Sequence, residues 1–181
     1  QGIHSPADGR RDAHGQLKSM SITYPVTISG LTLAQVGLTA LTVNGQGVSP
    51  YTLAQEPYEW PGTRWLASAR CPAMKRATAD PIFAALVSLY GAGTFLLGPV
   101  GEEATPRGAA GGTPLVNGAS QSGKTLVTDG WPLSTAILKM GDYFQLGSGS
   151  TARLHMALAD VSSDGSGNAT IDIWPRLRES P

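Results

Sequence analysis

The chain has 181 residues, and 13 Lys and Arg balance 13 Asp and Glu, giving a formal net charge of zero. No overall field would gather nucleic acid or an anionic membrane onto such a chain. Its 14% charged residues fall well below the usual quarter, and burial against partner subunits is one way for so uncharged a surface to stay soluble.

With 23 Gly and 13 Pro, the sequence predicts many turns and few long helices. Cys71 is alone, which excludes an intrachain disulfide and a Cys-based zinc cluster, and His4, His14 and His155 lack metal-ligand spacing. No transmembrane helix is expected, and the N-terminus lacks the basic-then-apolar pattern of a secretory signal. Residues 1–19 are polar and on composition alone should be disordered. An extended arm held by neighbouring subunits is one reading of them, and a processed leader is another.

Domain-like sequence begins at Met20. Ser21 to Ser29 reads as a strand with Pro25 at an edge or bulge. Leu31 to Val43 is apolar and Thr-rich, and Asn44-Gly45 after it is a hairpin-type turn signal. Tyr51 to Glu59 alternates weakly. Arg64 to Cys71 alternates with Trp65, Ala67, Ala69 and Cys71 on one face, as a half-buried strand does.

A helix is expected over Pro81 to Tyr90, with Asp80 as N-cap, Pro81 at the first helical position and Gly91 past the end. Its apolar residues Ile82, Phe83, Leu86, Val87, Leu89 and Tyr90 predict that it covers one face of a sheet. Thr94 to Leu97 reads as a strand. A Gly/Ala/Pro-rich connection over 101–114 then separates a β-rich part, 20–100, from a C-terminal β module, 115–181. In that module, strand-like segments at 137–147, 152–161 and 169–177 alternate with Gly/Ser/Asp turns, and Pro175 is expected to close the last one.

Gly118-Ala-Ser-Gln-Ser-Gly-Lys-Thr125 matches the phosphate-loop pattern GxxxxGK[ST]. That chemistry requires a helix after the loop to hold the phosphates. Gly130 and Pro132 stand where the helix should run, so a hairpin loop is expected instead. Asp160, Ser162, Asp164 and Gly165 imitate a calcium loop, but Ile171 occupies the position that needs a bidentate Glu. Glu102 and Glu103 read as solvated loop residues, and His155 as lying on the exposed face of a strand. No catalytic constellation, metal set or cofactor site is expected, and the chain does not read as an enzyme.

Several segments carry a resemblance. In order, they are Tyr58-Glu-Trp-Pro-Gly62, Pro72 to Arg76, Gly93 to Gly98, Thr105 to Gly108, Val116 to Ser120, Asp129-Gly-Trp131, Leu138 to Gly147 and Asp164 to Thr170. As an ordered set, covering about residues 20 to 181, they resemble small minor tail or distal tail proteins of double-stranded-DNA bacteriophages with long non-contractile tails. Residues 1–19 have no counterpart in that pattern, and 30–49 are richer in Thr, Gly and Leu.

The resemblance implies a mainly β (α+β) fold, an antiparallel sandwich or barrel-like belt domain with one principal helix and a small C-terminal meander or barrel. It also implies a structural role: a ring, often of six copies, joining the tail tube protein to the hub and fibre proteins of the virion tail tip. It supplies no catalytic residue. Trp60, Trp131 and Tyr143 are the interface candidates, while Trp65 and Trp174 are expected in the core. The alternative from another class is a receptor- or carbohydrate-binding tail module, marked by exposed Trp and Tyr on the C-terminal module.

Overall fold

A computed structural model describes residues 28–181. The expected terminal arm and the expected strand with Pro25 lie outside the described residues, apart from Ile28 and Ser29. Among the described residues the expectation of a mainly β protein with one α-helix holds, and every strand pair is antiparallel.

The first four strands make one long two-stranded arm. β1 (Gln35–Leu41) pairs with β4 (Arg64–Arg70), and β2 (Asn44–Val48) pairs with β3 (Gln55–Glu59). Leu41 lies opposite Arg64, but Asn44 lies opposite Glu59. The returning strand therefore carries extra residues at 60–63, where the ribbon bends. Asn44-Gly45, expected as a turn, instead begins β2. The reversal lies at 49–54, where Ser49 caps Thr52 N–H through its side chain and Leu53 N–H through its carbonyl.

The expected phase of β4 is kept: Trp65, Ala67 and Ala69 stand opposite Ala40, Leu38 and Val36 on one face. Val36 is buried, yet Ala67, Ala69 and Cys71 are exposed. A two-stranded ribbon has no further strand to cover them.

Helix α1 spans Arg76–Val87, so it starts a turn earlier than expected. Lys75 occupies the N-cap without a side-chain bond, and Asp80 instead pairs with Arg76 one turn before it, Nε to Oδ2 3.0 Å. Pro81 lies inside the helix. Having no N–H, it forfeits the bond to the Ala77 carbonyl that other residues would make. The helix also ends three residues before expected, at Val87 with Ser88 as C-cap, and Gly91, φ 71°, lies in the turns beyond it. The broad covering face does not materialise among the described residues: Ile82 is buried, but Phe83 is 69% exposed and Val87 is exposed. Residues 94–97 form no strand, because no ladder partner stands beside them.

The core belongs to the C-terminal module. β5 (Leu115–Val116), β6 (Gly123–Asp129), β8 (Tyr143–Leu146), β9 (Arg153–Ala157) and β11 (Ala169–Leu177) form a curled half-barrel sheet in the order β5-β6-β11-β9-β8. β7 (Ala136–Leu138) and β10 (Val161–Ser162) pair beside it. Strict alternation along β11 buries Ala169, Ile171, Ile173 and Leu177, which pack with Leu126, Ile137, Leu138, Ala157 and Val161. Each fully buried aliphatic side chain contributes roughly 1.5–3 kcal/mol.

Pro175 does not close β11, which runs on to Leu177. The proline sits where pairing with β6 slips between Asp172 and Leu177, the kind of irregularity that accommodates a residue without an N–H.

The Gly/Pro-rich connection is laid onto this module. Ala109 N–H donates to Ala136 O at 2.9 Å and Thr113 N–H to Gly130 O at 3.1 Å. A Cβ on Gly108 would stand 2.2 Å from Ile137 O, so only glycine permits that approach.

Candidate functional site

Two features stand out: the arm, and a cleft where the arm crosses the half-barrel. The arm is clamped near its middle. Trp65 Nε1 donates to Leu154 O at 3.0 Å, and its ring meets Trp174 edge-on, with centroids 4.3 Å apart, and Tyr143 at 5.6 Å. Glu59 of β3 pairs with Lys124 of β6, and Arg178 donates to the Thr63 carbonyl. These ties span residues 59–65. Beyond them the arm projects: at its tip Tyr51 is 95% exposed and Leu53 75% exposed, and Val43, Val48, Tyr58 and Trp60 are exposed along its length.

Leu53 has φ 55°. A branched aliphatic residue in the left-handed region costs roughly 1–2 kcal/mol relative to the ordinary helical conformation. Turn chemistry alone would place Gly or Asn there, so local folding does not account for this leucine.

The three interface candidates divide. Trp60 is exposed on the arm, its backbone N–H bonded to Val43 O. Trp131 is half-buried against the core, and its Nε1 donates to Thr128 Oγ1 at 2.8 Å. Tyr143 is half-buried beside Trp65, with burial pushing its phenol pKa up and the Glu103 charge adding to that. Trp131 and Tyr143 thus serve packing within the chain, while Trp60 remains outward.

His155 corrects its expectation, being 4% exposed. β9 is an inner strand of the sheet, and its alternation turns His155 and Ala157 inward, while Arg153 is exposed and Leu154 and Met156 are only half-buried. The ring stacks on Phe144, and Nδ1 lies 2.9 Å from Pro175 O. Since a carbonyl only accepts, Nδ1 carries the proton. Burial pushes the His155 pKa down, the Pro175 carbonyl opposes this, and the Arg153 charge adds to it.

Asp142 organises the connection. Its carboxylate accepts from Lys139 N–H at 2.8 Å, Arg107 N–H at 2.9 Å, Gly108 N–H at 3.3 Å and Arg107 Nε at 2.9 Å. Burial alone would raise this carboxyl, but the donors more than offset it and hold it below the usual range. Every donor comes from the protein itself, so the group is structural.

The phosphate-loop match forms a strand–loop–strand unit between β5 and β6, with Lys124 on β6 paired to Glu59. Gln121 fills the loop: its amide donates to Asn117 O and Val127 O, and its carbonyl accepts from Val127 N–H. No helix follows to receive phosphates. In the calcium-like turn, Asp164 Oδ1 accepts from Ser166 N–H and Asn168 N–H, both at 2.8 Å, so its carboxylate is committed to the turn. Asp160 likewise accepts from Lys139 Nζ and Met140 N–H. Glu102 and Glu103 sit exposed in a 3-10 turn. Among the described residues, no group of three His, Cys, Asp or Glu is placed to hold a metal ion, and no helix is long and apolar enough to cross a membrane.

No local sequence pattern marks the cleft. It has a volume of about 560 Å³ and lies between arm residues 63–65, the β8–β9 end of the sheet and the C-terminal end of β11. The arginines that line it are spread from 64 to 178, and only tertiary structure brings them together.

Compared with known proteins, the chain matches no family model and no curated sequence.

Proposed function

We propose that the protein is a structural subunit of a bacteriophage tail tip: a distal or minor tail protein whose copies, six in the expected ring, join the tail tube protein to the hub and fibre proteins of the virion. The observation that carries this reading is the clamped arm. It presents exposed apolar side chains along two strands, and among the described residues each strand has one edge without a partner. Such an edge invites pairing with another chain, and a closed ring turns that liability into assembly. The strained, exposed Leu53 at the tip supports the same reading, since contact with a neighbour supplies the reason that local folding lacks.

The alternative, a receptor- or carbohydrate-binding module, calls for exposed Trp or Tyr on the C-terminal module. Trp131, Tyr143 and Trp174 there are half-buried, so no observation favours it.

The test is the mass and shape of the purified chain by light scattering and electron microscopy, together with antibody labelling of phage particles. Rings and labelled tail tips are expected. A monomer at all concentrations with no particle labelling would overturn the proposal.

A further inference from the structure

The cleft beneath the arm concentrates charge in a chain that has none overall. Arg64, Arg153, Arg176 and Arg178 line it, against the single acidic side chain of Glu179. Among the described residues, none of the four arginines has a carboxylate partner. Two are held in place by carbonyls, which leave the charge uncompensated: Arg153 Nη1 donates to Ser150 O and Ala152 O, and Arg178 donates to Thr63 O. Two further donors in the lining are buried without any acceptor, Arg176 Nε and the Oγ1 of Thr63, a residue only 1% exposed. A buried donor left unpaired costs about 1–3 kcal/mol, but both atoms are closed off from the cleft, so its ligand-facing charge is that of the exposed arginines.

The remainder of the lining is mostly apolar, including Val116, Leu146 and Leu154. Val116 belongs to β5 and Leu146 to β8, the two outer strands of the half-barrel, so each borders a strand edge without a partner. Trp65, the aromatic ring in the lining, is already engaged by Trp174 and Tyr143, which leaves little free ring surface for stacking a sugar.

We propose that this cleft is a docking site for an acidic, extended peptide segment of a partner protein. Its carboxylates would meet the arginines, its apolar side chains would enter between Val116 and Leu146, and its backbone would add to an open sheet edge. The assignment stands apart from the tail-tip reading, since it concerns a different surface and any partner carrying such a segment satisfies it.

The test is fluorescence anisotropy of the labelled peptide Glu-Leu-Glu-Leu-Glu with the full chain. Gln-Leu-Gln-Leu-Gln and a glucuronate oligosaccharide serve as comparisons. The acidic peptide binds about tenfold or more tightly than the Gln peptide at low salt, and added salt weakens it. The exposed double variant Arg64→Glu with Arg153→Glu loses binding about tenfold or more. Arg64→Gln with Arg153→Gln, which decides the matter should the reversal misfold, loses an intermediate amount. Lys75→Glu with Arg76→Glu on the helix changes nothing. Equal affinity for the Gln peptide, binding that survives both arginine variants, or tighter binding of the oligosaccharide would each overturn the proposal.

Discussion

Trp65 of the arm packs edge-on against Trp174 of the half-barrel, with centroids 4.3 Å apart and ring planes at 75°. This contact, reinforced by the Trp65 Nε1 bond to Leu154 O, fixes the arm to the module. Replacing Trp65 with Ala removes both the aromatic contact and the indole donor. We expect a loss of about 3–5 kcal/mol, the range for truncating a large aromatic side chain in packed surroundings, with protease cleavage appearing in 35–70 while 115–177 stays protected. Limited proteolysis followed by mass spectrometry reads this directly. Uniform cleavage throughout the chain would show that the arm and the module unfold as one.

The arm tip yields the opposite pattern. Tyr51 and Leu53 are exposed, and Leu53 is held at φ 55°. Leu53→Gly should raise the melting temperature of the isolated chain slightly, by the equivalent of up to about 1 kcal/mol, because glycine adopts this conformation without strain. Combined with Tyr51→Ser, it should abolish assembly while leaving circular dichroism unchanged. Sedimentation velocity distinguishes the outcomes, and assembly that persists in the double variant would remove the tip from the interface.

Asp142 governs how the connection 101–114 adheres to the module. Asn in its place keeps one acceptor oxygen but turns an NH2 toward backbone donors, so Asp142→Asn should cost about 2–3 kcal/mol. The carboxyl is depressed in the fold, so its stabilisation is complete above the ordinary carboxylate pKa of 3.8 and is lost as pH falls through the lower folded value. Urea unfolding of both proteins between pH 2 and pH 6 should show their difference shrinking on the acid side. A difference constant with pH would assign the effect to packing rather than charge.

What was legible in the sequence follows from how locally each feature is specified. The strands of the C-terminal module were readable because apolar alternation and Gly/Asp turns act over a few residues, as in 169–177. The helix is readable in type but in neither its start nor its end. Asp80-Pro81 makes a good local beginning, yet Arg76 and Asp80 bond across one turn and the helix continues through the proline. Asn44-Gly45 misled for a related reason: β1 pairs with the distant β4, so chain reversal was not required there. Alternation in 153–158 gives His155 a period but not a phase, so the sequence alone does not choose its face. The phase is set by the β8 and β11 neighbours on either side. The arginine cleft assembles residues from 64 to 178, and no local pattern encodes that.

His155 provides the remaining pH signature. Burial holds its imidazole neutral in the fold, with a pKa below the ordinary 6.5. An unfolded chain binds this proton more readily, so below about pH 6.5 it carries more protons than the folded one. The sign follows: stability is independent of this group above pH 6.5 and falls as pH drops below it, levelling only beneath the folded pKa. The slope approaches about 1.4 kcal/mol per pH unit at most. His4 and His14 lie outside the described residues, so comparison with His155→Gln isolates the contribution. Denaturant midpoints measured at pH 5.0, 6.0, 7.0 and 8.0 should fall more steeply on the acid side for the natural chain than for the variant. Parallel curves would mean that the imidazole is protonated equally in both states, and the inward orientation of His155 between Phe144 and Pro175 would then have to be abandoned.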